Sequence, residues 1–401
     1  MYEIALLGET ALVGPPPSDF DQRVARAIMS VHVQPVTTRR QKKLFLEFPW
    51  QLYRNDPLWV PPLRSEQKQL VGYSPHPFYE RNSSQTFLAY RDGTPCGRIA
   101  AVFNQTYIDT HNERRGFFGF FESVDDVEVA HGLFDAARHW LADRDITCMR
   151  GPASPGLNYS LGTLIEGFDS SPTFLMPYGP RYYPQLIESY GFRKSQDLYA
   201  YYGDIDMLPK AAAKLDPIAD QIVERYDIRI RQLDKKKLYD EVAQFIAIYN
   251  ASLVGTWGYE PMPPSEVRHM ASGLKHMLVP EVTAAAEIDG RLVGAGFALP
   301  DYNPRIKAID GRLFPFGFMR LLANKKAIKK YRLLAANVVP EYQMHGVGLV
   351  LLRAMAPAAT AWGLQEVEIS WVSESNQRSR GSIEKGGARR IKTYRVYDFD
   401  P

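Results

Sequence analysis

From Thr86 to Asn104 the chain reads TFLAYRDGTPCGRIAAVFN, an apolar run, an Asp-Gly pair and a second apolar run. The same order recurs from Thr283 to Asp301 in TAAAEIDGRLVGAGFALPD, with Asp92-Gly93 matching Asp289-Gly290 at an offset of 197 residues. Asp-Gly between apolar runs predicts a β-hairpin, because the turn needs a positive φ that glycine adopts freely. A second pair of blocks, IESYGFRKSQDLYAYY (187–202) and IEKGGARRIKTYRVY (383–397), lies 195–196 residues apart. Two blocks in one order at nearly one offset predict a duplicated α/β unit, residues 31–205 and 226–401. Both units open on a short strand running into an amphipathic helix, HVQPVTTRRQKKLFLEFPWQLY (32–53) and RIRQLDKKKLYDEVAQFIAIYN (229–250). Residues 206–225 between them predict a helical linker, and residues 1–30 a weakly structured extension.

The second unit continues with an apolar run of strand character, Leu333 to Val339, stopped by Pro340-Glu341-Tyr342. Helical composition follows from Gly348 to Trp362, with Gly363 as a natural C-cap and Pro357 as a misfit that predicts a kink or an early end. A further strand is expected over Glu366 to Val372. Strand, glycine-containing loop, helix and strand in that order make an anion site. Free N–H groups of the first helical turn, with about half a positive charge from the helix dipole, face the loop. Gly346 and Gly348 would let that backbone approach a diphosphate without a Cβ in the way. The string is neither a Rossmann GxGxxG nor a Walker lysine motif.

Composition narrows the setting. The 401 residues are 45% hydrophobic and 23% charged, which suits globular domains with real cores. Cys96 and Cys148 stand alone in apolar runs, so a disulfide framework is not indicated and a reducing cytoplasm fits. No run approaches the ~18 apolar residues of a membrane span, and Glu3 and Glu9 stand where a signal peptide would be basic. The net charge of +3 argues against a general nucleic-acid binder. The charge is uneven, however: residues 305–332 carry nine Lys/Arg and one acid, Asp310, among Leu313, Phe314, Phe316, Phe318, Met319, Leu321 and Leu322. That mixture suits peripheral contact with anionic lipid, or an insertion packed on the first unit with its lysines in water. No histidine pairs with Cys or acids at metal spacing, and no metal is expected.

The string Val338-Val339-Pro-Glu-Tyr-Gln343-Met344-His345-Gly346-Val347-Gly348, with its flanking elements, resembles the pyrophosphate motif of the GNAT N-acyltransferases. The resemblance implies an α/β fold of two tandem GNAT-like domains, each a mixed sheet with flanking helices. It implies acetyl-CoA or a longer acyl-CoA as co-substrate, held by residues 338–339 and 343–348. Asn376 would contact the pantetheine arm, and strand Leu333–Val339 would splay from its neighbour to admit it. Ile383 departs from the pattern, standing where many members carry a tyrosine that protonates the leaving thiolate. The first unit resembles a degenerate copy, because SVDDVEVAHG lacks the glycine loop and Asp125, Asp126 and Glu128 would repel a diphosphate. Features along the whole chain, among them FPWQLYRNDPLWVPPL (48–63) and SWVSESN (370–376), resemble a bacterial group of tandem proteins. That group includes bacterial ceramide synthases, which acylate a sphingoid amine.

An acyltransferase also needs a group that takes the amine proton. Glu374, beside Asn376 at a strand end, is the candidate, and Tyr394 is the candidate replacement acid. His345 is expected to contribute only its backbone N–H, and Asn158 and Tyr159 to face the acceptor. The reading is acyl transfer to an amine, with a lipid-like acceptor, in the cytoplasm or at the inner face of the membrane. A non-catalytic CoA-binding protein and a tRNA-dependent aminoacyl transferase of tandem fold stay open beside it.

Overall fold

The computed structural model describes residues 30–401; the N-terminal extension expected from the sequence lies outside the described residues. Its centre is one 13-stranded mixed sheet. The first half supplies β1 (His32–Pro35), β2 (Ser83–Arg91), β3 (Thr94–Phe103), β4 (Arg115–Ser123), β5 (Cys148–Gly151), β6 (Thr163–Glu166) and β7 (Arg193–Asp204). The second supplies β8 (Arg229–Arg231), β9 (Thr283–Ile288), β10 (Arg291–Pro300), β11 (Lys330–Val338), β12 (Glu366–Ser373) and β13 (Arg389–Phe399). Their order across the sheet is β1-β2-β3-β4-β5-β13-β7-β12-β11-β10-β9-β8, with β6 also on β13.

Both Asp-Gly hairpins form, with Asp92 and Asp289 at φ 50°. The two halves then exchange their last strands. β13, which ends the second half, pairs antiparallel with β5 of the first, Tyr397 opposite Gly151. β7, which ends the first half, pairs with β12 of the second, Glu366 opposite Asp204. The repeats in the chain are therefore not separate sheets in space: residues 193–204 and 389–399 lie side by side at the centre and join the halves.

One helix from each half packs on the sheet in a matching position. Helix Val127–Ala142 lays Val129, Leu133, Phe134 and Ala137 on a core with Ile99 and Phe118. Helix Val347–Trp362 does the same with Val350, Leu351 and Met355 against Ala295 and Val338. It runs through Pro357 to Trp362 before Gly363 caps it at φ 114°, so the proline does not end it. The linker, helix Leu208–Tyr226, lies against this second helix through Ala219 and Ile222, with Arg353 pairing Asp216 and Asp220. Both cysteines are free, Cys96 buried and Cys148 half-buried.

A candidate acyl-CoA cleft in the second half

β11 and β12 run parallel only from Lys330–Glu366 to Leu333–Ile369. Beyond that pair they part, and β11 from Leu334 to Val338 keeps β10 on one edge and nothing of β12 on the other. A strand edge left unpaired must bond to something that is not protein. Mid-strand Ala336 is exposed, as an open edge requires. The floor of the split is polar and closed. The Arg332 guanidinium donates to Ser370 Oγ at 2.9 Å and to the Phe174 carbonyl at 3.1 Å, and burial pulls it down to about 10. Buried Glu368 receives the hydroxyls of Ser370 and Thr173. A chain segment of the first half, Pro172–Met176, thus seals the second half's cleft from below.

The glycine loop sits at the mouth of the split. Val338 and Val339 are buried at the strand end, Pro340–His345 turns, and Gly346 at φ 78° leads into the helix at Val347. No side chain caps that helix, so its first N–H groups stay available to an anion. Gly348, in the first turn, lines the open cavity, and a Cβ there would meet nothing closer than Val338 Cγ2 at 4.0 Å. Gly346 also has a reason to be glycine that the sequence did not show. Besides its positive φ, a Cβ there would lie 2.4 Å from Ile222 Cδ1 of the linker helix.

The other loop side chains brace the site. Gln343 Nε2 donates to the carbonyls of Val338, 3.2 Å, and Ser252, 3.1 Å. The His345 ring packs between Tyr226 and Tyr342. Met344 is exposed, with Arg378 Nη1 2.8 Å from its sulfur. Arg378, unnoticed in the sequence, is thereby a cation beside the loop. Asn376 caps helix Gln377–Lys385 by accepting the Ser379 N–H at 3.0 Å, and it lines the cavity together with Ile383.

The two residues singled out for proton transfer are not brought to this cavity. Ser373 and Ser375 line it, but the Glu374 carboxylate between them is held by Lys194 Nζ at 2.7 and 2.9 Å. Tyr394 is fully buried with Phe117, Leu164 and Leu198, and its hydroxyl finds no partner among the described residues. Burial, with Glu368 nearby, pushes that hydroxyl well above the usual tyrosine range. Asn158 and Tyr159 do reach the cavity. Among the described residues no group of three metal-ligating side chains comes together.

The first half has the same frame with different contents. β4 and β5 pair only over Arg115–Phe117 and Cys148–Arg150 before parting. The chain itself fills the gap. Ser154 Oγ accepts the Phe120 N–H at 2.8 Å, and a Cβ on Gly119 would fall 2.0 Å from the Ala153 carbonyl. Asp126 caps helix Val127–Ala142, accepting the N–H groups of Glu128 and Val129 at 2.9 and 3.2 Å.

Over 376 residues the chain is 34% identical to the bacterial ceramide synthase of Caulobacter vibrioides, covering 91% of this chain and 96% of that protein. It belongs to the GNAT N-acyltransferase family. It is also 30% identical over 372 residues to Protein YghO of Escherichia coli, covering 91% of this chain and 94% of that one. Among solved structures, a tandem GNAT protein from the clavulanic acid biosynthesis pathway superposes with a TM-score of 0.52 at 11% identity, covering 93% of this chain and 99% of that one. A GNAT from Sphaerobacter thermophilus gives 0.52 at 12% identity, covering 92% and 95%. These two likenesses speak for the tandem fold alone. No family model matches the chain.

Proposed function

We propose that this N-acyltransferase takes its acyl group from acyl-CoA, bound at residues 338–348, and transfers it to a long-chain amine such as a sphingoid base. The observation that carries the reading is the open split between β11 and β12 beside a helix start that no side chain caps. The diphosphate would lie on the N–H groups around Val347 and Gly348, with Arg378 at its side. The pantetheine arm would complete the unpaired edge of β11, near Asn376. Backbone N–H groups along that edge would steady the oxyanion formed on attack.

Two features favour a lipid-like acceptor. The cavity, about 3650 Å³, far exceeds the roughly 300–1,000 Å³ of ordinary ligand pockets, and Phe245, Phe297, Leu274, Leu313 and Leu321 are among its lining. At its rim the segment 306–328 divides in two. Ile306, Ile309, Leu321 and Ile328 anchor it in a core with Leu63 and Phe174, and Asp310 ties it to Arg64 at 2.7 Å. Its tip instead carries Phe314, 83% exposed, with Phe316 and Met319 also exposed between Arg312 and Arg320. Bare aromatics flanked by cations suit an anionic bilayer surface, and peripheral contact at the inner face of the membrane follows. Among the described residues, no helix is long and apolar enough to cross a membrane. The name of the Caulobacter relative points to the same acceptor class.

The test is mass spectrometry of products after the purified chain meets acyl-CoA of two lengths with a sphingoid base or a short amine. Amide from the long-chain pair is expected. Absence of amide despite calorimetric acyl-CoA binding would leave a non-catalytic binding protein.

A further inference from the structure

The cavity holds a second chemical centre, where helix Pro264–Leu274, the turn Pro77–Glu80 and the first half's Asn158–Tyr159 meet. Glu266 is 6% exposed, and its Oε2 receives the Tyr159 hydroxyl. His269, about one turn on, lies with its ring 4.5 Å from that of His76. His76 accepts the Phe78 N–H on Nδ1, which leaves Nε2 as the donor of a neutral ring, and burial, aided by His269, pulls its pKa down to about 4. Glu266, Tyr159, His76 and His269 all line the cavity.

Glu260 stands behind them, 4% exposed. Its Oε1 takes Asn104 Nδ2 at 2.9 Å, and its Oε2 has no partner among the described residues. No Lys or Arg pairs with Glu260 or Glu266 among the described residues. A buried carboxylate without a cation costs free energy, which a bound cation would offset. Helix Leu238–Leu253 sets this centre close to the cleft. The Tyr249 hydroxyl donates to Asn158 Oδ1 at 3.2 Å, while Ser252 Oγ receives Asn337 Nδ2 of β11 at 2.8 Å. Tyr249 and Ser252 are three residues apart, about 4.5 Å of helical rise.

We propose that Glu266, held by Tyr159 and flanked by His76 and His269, binds the acceptor's amine and takes its proton during attack on the acyl thioester. The proposal rests on the acyltransferase reading above. The bound ammonium first loses one proton to solvent; the neutral amine's lone pair then forms the new C–N bond at the thioester carbonyl, and the C–S electron pair leaves on sulfur. The N–H proton passes to a Glu266 oxygen, and the thiolate then recovers it from that carboxylic acid through solvent, so Glu266 ends as it began. Burial raises the Glu266 pKa, Tyr159 opposes the rise and Glu80 adds to it. Glu260, His76, His269, Tyr79 and Tyr249 are the other titratable groups near it among the described residues.

The experiment uses the full chain, a long-chain amine and saturating acyl-CoA. Glu266→Gln is expected to lower kcat about a hundredfold or more, as loss of a general base does, while calorimetric acyl-CoA affinity stays at the parent value. A kcat within a few-fold of the parent's overturns the proposal. Tyr159→Phe removes a hydrogen bond to the carboxylate and should move the acidic limb of the pH–rate profile to higher pH. A merely structural tyrosine would not move it, so an unmoved limb in a folded variant also overturns the proposal, even if Glu266→Gln fails to fold. A parent that acylates no amine defeats the acyltransferase reading itself, and this proposal falls with it.

Discussion

The two halves share a frame and differ in what occupies it. Each has a parallel strand pair that parts after a few residues, and a helix that starts beside the opening. In the first half the opening is filled by the chain around Ala153, and the helix start by the Asp126 carboxylate. In the second, among the described residues, no strand pairs with β11 beyond Leu333 on that side, and the helix start is a glycine. On this frame an anion site would depend less on the fold than on leaving two sets of backbone groups unsatisfied by the protein. The first half has become a support. It lends β7 to the second half's sheet, Pro172–Met176 to the floor of the cleft, and Tyr159 and His76 to its far wall.

The comparison breaks most completely if the halves are separated. Residues 226–401 alone lack β7, and residues 30–205 alone lack β13, so each would expose a central strand edge. Neither piece is expected to fold by circular dichroism, while the two co-expressed, with the linker helix kept on the second piece, should restore acyl-CoA binding. A piece 226–401 that binds acyl-CoA unaided would show that the exchange of strands is dispensable.

Next in size is the loop itself. Gly348→Asp puts a carboxylate in the first helical turn at a site with room for its Cβ. Repulsion between charges ~4 Å apart is on the order of 4 kcal/mol at a surface-like dielectric. After screening, a loss of ~2 kcal/mol means roughly thirtyfold weaker binding. An acid at a helix N-terminus favours the helix, so thermal stability should hold. Unchanged CoA affinity would make the loop a packing turn. Gly346→Asp is a poorer probe, because Ile222 and the positive φ would disturb the fold as well.

The hairpins, the duplicated unit and the glycine loop were legible because they are local: Asp-Gly turns, apolar periodicity and a strand–loop–helix order. The exchange of β7 and β13 was not, since a strand's own sequence carries no record of which neighbour it pairs with. Where the proton-transfer candidates would lie was not legible for the same reason. Glu374 is near Asn376 in the chain, but Lys194 from another strand holds it. The far wall joins residues 76, 159, 266 and 269, too scattered along the chain to form a motif.

In the degenerate half, Asp126→Ala should cost ~1 kcal/mol, the usual worth of an N-cap, and somewhat more from the lost Arg91 pair. CoA affinity should not change, since residues around Ala153 still fill that opening. Although burial pushes the Asp126 carboxyl up, Arg91 and the capped N–H groups outweigh it and hold the pKa below the usual value. Its stabilisation is therefore present above the unfolded pKa of ~3.9 and lost as pH falls through the lower folded value. Urea unfolding of parent and variant should differ at pH 7 and converge at strongly acidic pH. A variant that gains a second CoA site would mean that the cap, not the filled opening, excludes the ligand.

The smallest effect is expected at Ile383. It lines the cavity on helix Gln377–Lys385 and packs against the cluster of Tyr199, Tyr201 and Val372. An isoleucine cannot donate a proton, so the thiolate must be protonated from elsewhere, through solvent in the scheme above. Ile383→Tyr would add a phenol beside the cleft without removing any group that the scheme uses. Activity should therefore stay at the parent level or rise a few-fold, with acyl-CoA affinity unchanged. Steady-state kinetics with two acyl lengths separates the outcomes. A folded variant that loses activity with the longer acyl-CoA alone would place Ile383 along the acyl chain's path, and loss with both would place it against the acceptor.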